Sequence, residues 1–440
     1  MTEQQLAAAV AERERVLAGF LDREQDRLSH ACHDLARALF RGGTLFAHGT
    51  GAAATDAAHV AVEFLHPVIV GKRALAARAT DALGPLARPG DVALALAHGP
   101  AGEATRAFLA DAAARGLVRI AFTGSGGPPP EADHVFVVES ADPAIVQEVQ
   151  ETAYHVLWEL VHTFFEHPGL LEETCTTCGD VAVQAPVVRV GDGLAVVELA
   201  GRHEEVAIDL LDEVAPGDVV LCHAGVALER LERDAPAEAT GFLYPFLEAE
   251  EEDLDAVLAD LRASTVRKGQ DTIALRRAVD LVAIERCATQ VAARLRGGGR
   301  LLTFGNGGSS TDAQDLAVDA LARGWPAMAL NDDVATVTAV GNDVGFENVF
   351  ARQVIALGRP GDVAVGISTS GSSPSVVRAL EEAHRRGLLT CAITGYDGGA
   401  LGAAGWLDHL LAVAGDYVPR LQEAHATMYH LLLDAMGARA

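Results

Sequence analysis

Basic residues are scarce in this chain: 34 Lys and Arg stand against 61 Asp and Glu among 440 residues, a formal net charge of −27. Nucleic-acid backbones are held by clustered Lys and Arg, so a nucleic-acid partner is not expected. Unbroken apolar runs long enough to cross a bilayer are lacking too. The start MTEQQLAAAVAERERVL has no basic segment ahead of an apolar one, so neither a membrane span nor a secretory leader is expected and a cytoplasmic location is. Cysteine is sparse: Cys32, Cys222, Cys287 and Cys391 stand singly and only Cys175 and Cys178 are close in sequence, which excludes a disulfide framework. What the chain has in quantity is apolar material, 50% of its residues, enough for two or three domain cores.

The chain also repeats itself. FAHGTGAAATDAAHVAVEFL around Gly49 aligns with LTFGNGGSSTDAQDLAVDAL around Gly305, which pairs Asp56 with Asp312, His59 with Asp315 and Glu63 with Asp319. RPGDVALALAHGPAGEATRAFLADAAARG aligns with RPGDVAVGISTSGSSPSVVRALEEAHRRG, and VQEVQETAYH, ending at His155, with LQEAHATMYH, ending at His430. In each copy short apolar strands alternate with helical runs. That pattern predicts an α/β fold, a parallel sheet with helices on both faces and ligands at the C-terminal strand ends. Long helical patterns precede the copies, over residues 3–40 and 265–296. Between the copies VVRV, LAVVEL, EEVAIDLL and GDVVLCHAGVALERL are short β-type runs with Gly-Asp turns, the texture of a small OB-like barrel. The expected organisation is residues 1–168 for the first copy, 170–247 for the barrel, 248–264 for an acidic linker helix and 265–440 for the second copy.

Two strand-to-helix turns in the second copy, GNGGSS from Gly305 and STSGSS from Ser368, offer backbone N–H groups and hydroxyls at helix N-termini. Such ends favour anions through unpaired donors and the helix dipole, so together they point to phosphate. GNGGSSTDAQ, VGNDVGFENVFARQV, GDVAVGISTSGSS, TGYDGG and RLQEAHATMYH, in that order, resemble the sugar isomerase (SIS) domain of phosphoheptose isomerases. The resemblance implies aldose–ketose isomerisation of a phosphorylated sugar, sedoheptulose 7-phosphate, with a divalent metal such as zinc, in an oligomer, here a dimer of two-copy chains. Carried over, substrate and phosphate binding fall to Asn306, Gly307, Gly308, Ser309, Asn342, Asp343, Ser368, Thr369, Ser370 and Ser373. Metal and acid/base positions fall to Asp315, Asp319, Gln422 and His430, with Asp319 and His430 in the catalytic roles.

Each copy departs from that pattern in a different place. The family's helix after the glycine turn carries His and Glu four residues apart, whereas the second copy has Asp315 and Asp319, harder oxygen donors suited to Mg²⁺ or Mn²⁺. The first copy keeps the whole set, His59, Glu63, Gln147 and His155, with Glu63 and His155 at the catalytic positions. Its cradle is lost instead: Ala97, His98, Gly99 and Gly102 replace Ser368, Thr369, Ser370 and Ser373, and the GNDVGF loop is missing. If the copies pack as a pseudo-dimer, a composite site can join the first copy's His59, Glu63, Gln147 and His155 to the second copy's cradle. The alternative is that both copies are non-catalytic binding or sensing units.

The middle segment, with GDVVLCHAGVALERL as its best anchor, resembles HypC, the small chaperone of [NiFe]-hydrogenase maturation. This implies an iron carrier in which a cysteine, Cys175 or Cys178, and His223 help hold iron with cyanide and carbon monoxide ligands. The implied partners are a maturation protein or the hydrogenase large subunit. A redox C-x-x-C pair or half a zinc site are the other readings of Cys175 and Cys178. The leading expectation is therefore a phosphosugar-binding protein serving hydrogenase maturation, with a sugar-phosphate isomerase and a sensor as alternatives.

Overall fold

The computed structural model describes residues 1–67, 72–171, 183–191, 193–199, 202–209, 211, 214–223, 226–231 and 254–437. The first copy runs α1 (Glu3–Phe40), β1 (Leu45–Gly49), α2 (Ala53–Leu65), β2 (Ala77–Ala79), β3 (Val92–Leu96), α3 (Glu103–Ala114), β4 (Val118–Gly124), β5 (His134–Val138) and α4 (Pro143–Phe164). Its sheet is parallel with strand order β2-β1-β3-β4-β5. Strands β1 and β3 are buried at every position, as covered parallel strands must be, which is why they read as unbroken apolar runs.

Five strands follow, β6 (Val183–Val190), β7 (Leu194–Leu199), β8 (Arg202–Ala207), β9 (Val219–His223) and β10 (Val226–Leu231), and close in the order β10-β8-β7-β6-β9. This is the expected small barrel. Its core holds Val187, Val197, Val206, Val220 and Cys222. The Cys222 side chain is buried there. Cys175 and Cys178 lie outside the described residues, and so does the His223 side chain.

The second copy runs α5 (Leu254–Arg277), α6 (Leu281–Arg296), β11 (Leu301–Gly305), α7 (Gly308–Ala322), β12 (Ala327–Ala329), α8 (Val334–Val344), α9 (Val349–Leu357), β13 (Val363–Ser368), α10 (Pro374–Arg385), β14 (Leu389–Thr394), α11 (Gly399–Gly402), β15 (His409–Ala412) and α12 (Val418–Met436). Its parallel sheet has the order β12-β11-β13-β14-β15, the same as the first. In each sheet the order reverses between the first and third strands, and the turns after those strands flank the crevice where such sheets bind ligands.

A boundary at 264/265 does not exist in the backbone, because α5 runs unbroken from Leu254 to Arg277. That stretch contains no proline, and the break comes at Asp280, whose side chain caps the Ala283 N–H of α6. Residues Met1–His162 and Leu258–Ala440 form one compact unit, and Thr163–Val257 another. Within the larger unit Leu6 and Val10 of α1 join the second copy's core with Ile284, Val291, Tyr429 and Leu432, so the copies share structure rather than merely touching.

Candidate active site at the junction of the two copies

Helices α2 and α7, which follow the glycine turns, pack on one another, and α4 and α12 exchange hydrogen bonds across the same junction. Both glycine turns need a left-handed residue. Gly51 has φ 62° and Gly307 φ 58°, a region open to glycine. Asn306 Nδ2 donates to Ser375 Oγ at 2.9 Å, which ties the turn after β11 to the start of α10. Gly371, at φ 60°, lets the turn after β13 lie against the turn after β14; a Cβ there would sit 2.0 Å from Gly398 O. Ser370 Oγ accepts from Ser372 N at 3.2 Å, while the buried Ser368 Oγ has no hydrogen-bond partner. The cradle is therefore preformed, with one buried hydroxyl left for an anion. Asn342 and Asp343 are exposed at the C-terminal end of α8, a helix rather than the expected loop, and hydrogen-bond each other at 2.8 Å.

The second copy's turn abuts the first copy's metal positions. A Cβ on Gly308 would lie 1.8 Å from Gln422 Nε2 and 2.7 Å from His59 Nε2, so only glycine permits this approach. Gln422 Nε2 donates to His59 Nε2 at 3.1 Å, His59 Nε2 lies 3.8 Å from Glu63 Oε1, and the His59 and His155 rings are 5.2 Å apart. His59, Glu63, His155 and Gln422 thus share one site next to the second copy's cradle.

This corrects the composite set in one member. Gln147 is not there: its Nε2 donates to Asp315 Oδ2 at 2.7 Å, and Gln422 takes its place beside His59. The reason is helix geometry. Gln147 precedes His155 by eight residues on α4, about 12 Å along the axis, too far for both to reach one ion. Each glutamine instead serves the other copy's helix.

A second, pseudo-equivalent site collects everything else. Asp315 accepts from Gln147 and from Thr55 Oγ1, and Asp319 Oδ2 lies 3.3 Å from His430 Nε2. The first copy's turn faces this group, in a cleft of about 130 Å³ lined by Thr50, Ala52, His98, Gln147 and Asp319. Ala52 stands where the other site has Gly308, and His98, in place of a cradle hydroxyl, is bound to Asp56 Oδ2 at 2.6 Å. Small-molecule pockets run to roughly 300–1,000 Å³, so this cleft is smaller than most.

The charge states differ as the side chains do. Burial, with His155 adding, holds His59 well below its ordinary pKa, leaving a neutral imidazole. Its Nδ1 meets Tyr154 OH at 3.1 Å and Tyr154 OH donates to Asp56 Oδ1 at 3.3 Å, so Nδ1 carries the proton and Nε2 the lone pair that accepts from Gln422. His155 Nδ1 donates to Glu423 Oε1 at 3.0 Å, and its Nε2 has no partner. Burial pushes Glu423 up, but Arg420 and then His155 outweigh it and hold the carboxyl well below the usual range. At the second site burial disfavours a charged His430, yet Asp319 and Glu148 raise it to about 9. His430 is an imidazolium clamped between two carboxylates, with no lone pair to offer.

Glu148 and Glu423 were missed by sequence reasoning, although a Gln-Glu dipeptide at the same place in both copies was the signal. Glu151 was missed as well. It is buried within 4.8 Å of His59 and His155, four residues before His155, where the second copy has Ala426.

Residues 270–395 match the SIS domain family and residues 181–243 the HupF/HypC family. The phosphoheptose isomerase of Bradyrhizobium sp. (strain ORS 278) is 44% identical over 172 residues, 37% of this chain and 86% of that protein. The chain belongs to the phosphoheptose isomerase family. A second member, from Desulfovibrio desulfuricans, is 48% identical over 156 residues, 34% of this chain and 73% of the relative. One solved structure, the C-terminal domain of glucosamine-fructose-6-phosphate aminotransferase from Francisella tularensis, has 9% identity but a TM-score of 0.53. It covers 96% of this chain and 95% of its own, a likeness of fold alone. Among the described residues no helix is long and apolar enough to cross a membrane.

The metal that this family implies can be tested against the atoms present. Glu63 Oε2, Glu151 Oε1, His155 Nε2 and Gln422 Oε1 are all buried without a hydrogen-bond partner. Buried polar atoms are normally satisfied, and four orphans gathered beside the neutral His59 imidazole fit a cation site. The second site also has orphans, Asp312 Oδ2 and His430 Nε2, but its histidine is a cation beside Asp319 and so offers no lone pair to a metal.

Proposed function

We propose that the chain is a metal-dependent aldose–ketose isomerase acting on a phosphorylated sugar of the sedoheptulose 7-phosphate type, at the one site that joins the first copy's His59, Glu63 and His155 to the second copy's cradle. The observation that carries this reading is the approach of Gly308 to His59 and Gln422, which puts the two intact halves in one place. The phosphate is held by the N-terminus of α10 and by Ser368, Thr369, Ser370 and Ser373, and this fixes the sugar's reactive end near Glu63. His59, Glu63, His155 and Gln422 would hold a divalent cation, which supplies Lewis-acid polarisation of the carbonyl when bound. Glu63 moves the proton between the adjacent carbons; burial raises its carboxyl above the ordinary range, towards a useful general base. His155, its Nδ1 proton anchored on Glu423, presents Nε2 to the same space. A coupled assay on sedoheptulose 7-phosphate is expected to show turnover that Ser368→Ala and His59→Ala abolish. Absence of turnover with Zn²⁺, Mn²⁺, Mg²⁺ and Fe²⁺ would refute the reading.

The barrel carries a second reading, supported by its match to the HupF/HypC family over residues 181–243. In it the barrel serves [NiFe]-hydrogenase maturation, holding an iron dicyanide carbonyl group between Cys175 or Cys178 and His223 and meeting a maturation protein or the hydrogenase large subunit. Protein purified without oxygen from a hydrogenase-producing host should show cyanide and carbon monoxide infrared bands, lost in Cys178→Ala/Cys175→Ala or His223→Ala. Bands that survive both changes would remove the barrel from that role.

A further inference from the structure

We propose that Glu151 is an additional metal ligand, a carboxylate that this chain contributes to the composite site beyond the His59, Glu63, Gln422 and His155 set. The inference rests on the reading of a metal at that set. Ligand atoms of His59, Glu151 and His155 lie within 4.8 Å of one another, and a small side-chain closure would bring them onto one ion, whose bonds of about 2.0–2.2 Å span up to roughly 4.4 Å. Helix geometry makes the arrangement regular. His59 and Glu63 are four residues apart on α2, Glu151 and His155 four apart on α4, and each pair lies on one helical face. Two helices thus bring one histidine and one glutamate each.

Burial sharpens the argument. Glu151 is 2% exposed, its Oε1 has no hydrogen-bond partner, and no lysine or arginine pairs with it among the described residues. Its other neighbours include the buried carboxyls of Asp312 and Asp315. A carboxyl in such a place is charged only beside a cation; without one it keeps its proton. The pseudo-equivalent position is Ala426, so the carboxylate is present only at the site that holds His59 and His155. Two carboxylates also neutralise a divalent ion, and with two imidazoles they form a donor set for a first-row dication such as Zn²⁺, Mn²⁺ or Fe²⁺.

The test uses the full-length protein stripped of metal and titrated with Zn²⁺ against a chromophoric chelator, together with the visible spectrum of the Co²⁺-loaded form. Glu151→Ala and the isosteric Glu151→Gln are expected to weaken Zn²⁺ binding roughly 10–100-fold and to change the Co²⁺ bands. His59→Ala serves as the control that loses the metal. If His59→Ala loses it while both Glu151 variants keep wild-type affinity and spectrum, the ligand role of Glu151 is overturned alone. If the wild-type protein binds no metal, this role and the metal reading fall together.

Discussion

At one site His59 faces Gln422 and Glu63; at its counterpart Asp315 faces Gln147 and Asp319. Both are built from the same four helices and the same kind of glycine turn, and both anchor a histidine Nδ1 on a glutamate of the opposite copy, His155 on Glu423 and His430 on Glu148. They part in what the histidine's other nitrogen meets. Neither Nε2 has a hydrogen-bond partner, but His430 Nε2 lies 3.3 Å from Asp319 Oδ2, within ion-pair distance of a carboxylate. With Asp319 where the first copy has Glu63, and Asp315 where it has His59, the second site holds an internal ion pair between His430 and Asp319. The comparison also explains a puzzle in the repeat. The first copy's lost cradle and the second copy's lost metal pair look like damage to both halves, yet both fall on the same site. The other site keeps every part.

The sharpest way to break this contrast is to strike matching positions. His59→Ala or Glu63→Gln is expected to lower sedoheptulose 7-phosphate turnover by roughly 10³-fold, while Asp315→Asn or Asp319→Asn changes it by no more than roughly twofold. Equal losses on both sides would mean two working sites. Metal analysis should agree, with a single equivalent per chain that His59→Ala removes.

Next in size is the glycine turn. Gly308→Ala puts a methyl group into Gln422 and His59, and metal affinity should fall roughly 10–100-fold by chelator competition, whereas Ala52→Gly at the equivalent turn leaves it unchanged. The glutamine exchange is tested by the next pair. Gln422→Ala should weaken metal binding about tenfold and Gln147→Ala should not, although Gln147 belongs to the same copy as His59. A loss on Gln147→Ala would undo the exchange.

The smallest effect is on stability. His430 is raised from an ordinary 6.5 to about 9 in the folded protein. Its contribution is therefore complete below pH 6.5 and fades as pH rises through 9, by on the order of 3 kcal/mol in total. Urea midpoints measured from pH 6 to 10 should fall across that window in wild type and flatten in His430→Gln. A flat wild-type profile would show that the ion pair is not formed.

Much of this was legible in the residues. The repeat gave two sheets of the same order because apolar runs and Gly-rich turns recur with their spacing intact, and the complementary loss pointed to a joint site. The partner of each glutamine was less legible, since Gln147 and Gln422 occupy equivalent positions and only the rise along α4 separates Gln147 from His155. Glu151 escaped because a motif comparison looks for shared letters, and its counterpart is Ala426. Glu148 and Glu423 were hidden in plain view: they touch the histidines rather than a ligand. The 264/265 boundary failed because charge density, read as a linker, says nothing against a helix that continues.

The hydrogen bond between His59 and Gln422 joins residues 363 positions apart. At roughly 5–20 residues per second, ribosomes need about 20–70 s to make the intervening chain. Throughout that time the polar face of α2 waits in water, and the barrel is completed before the site exists. A product stopped before α12 lacks Gln422, Glu423 and His430 together, so neither site is complete until that last helix is made.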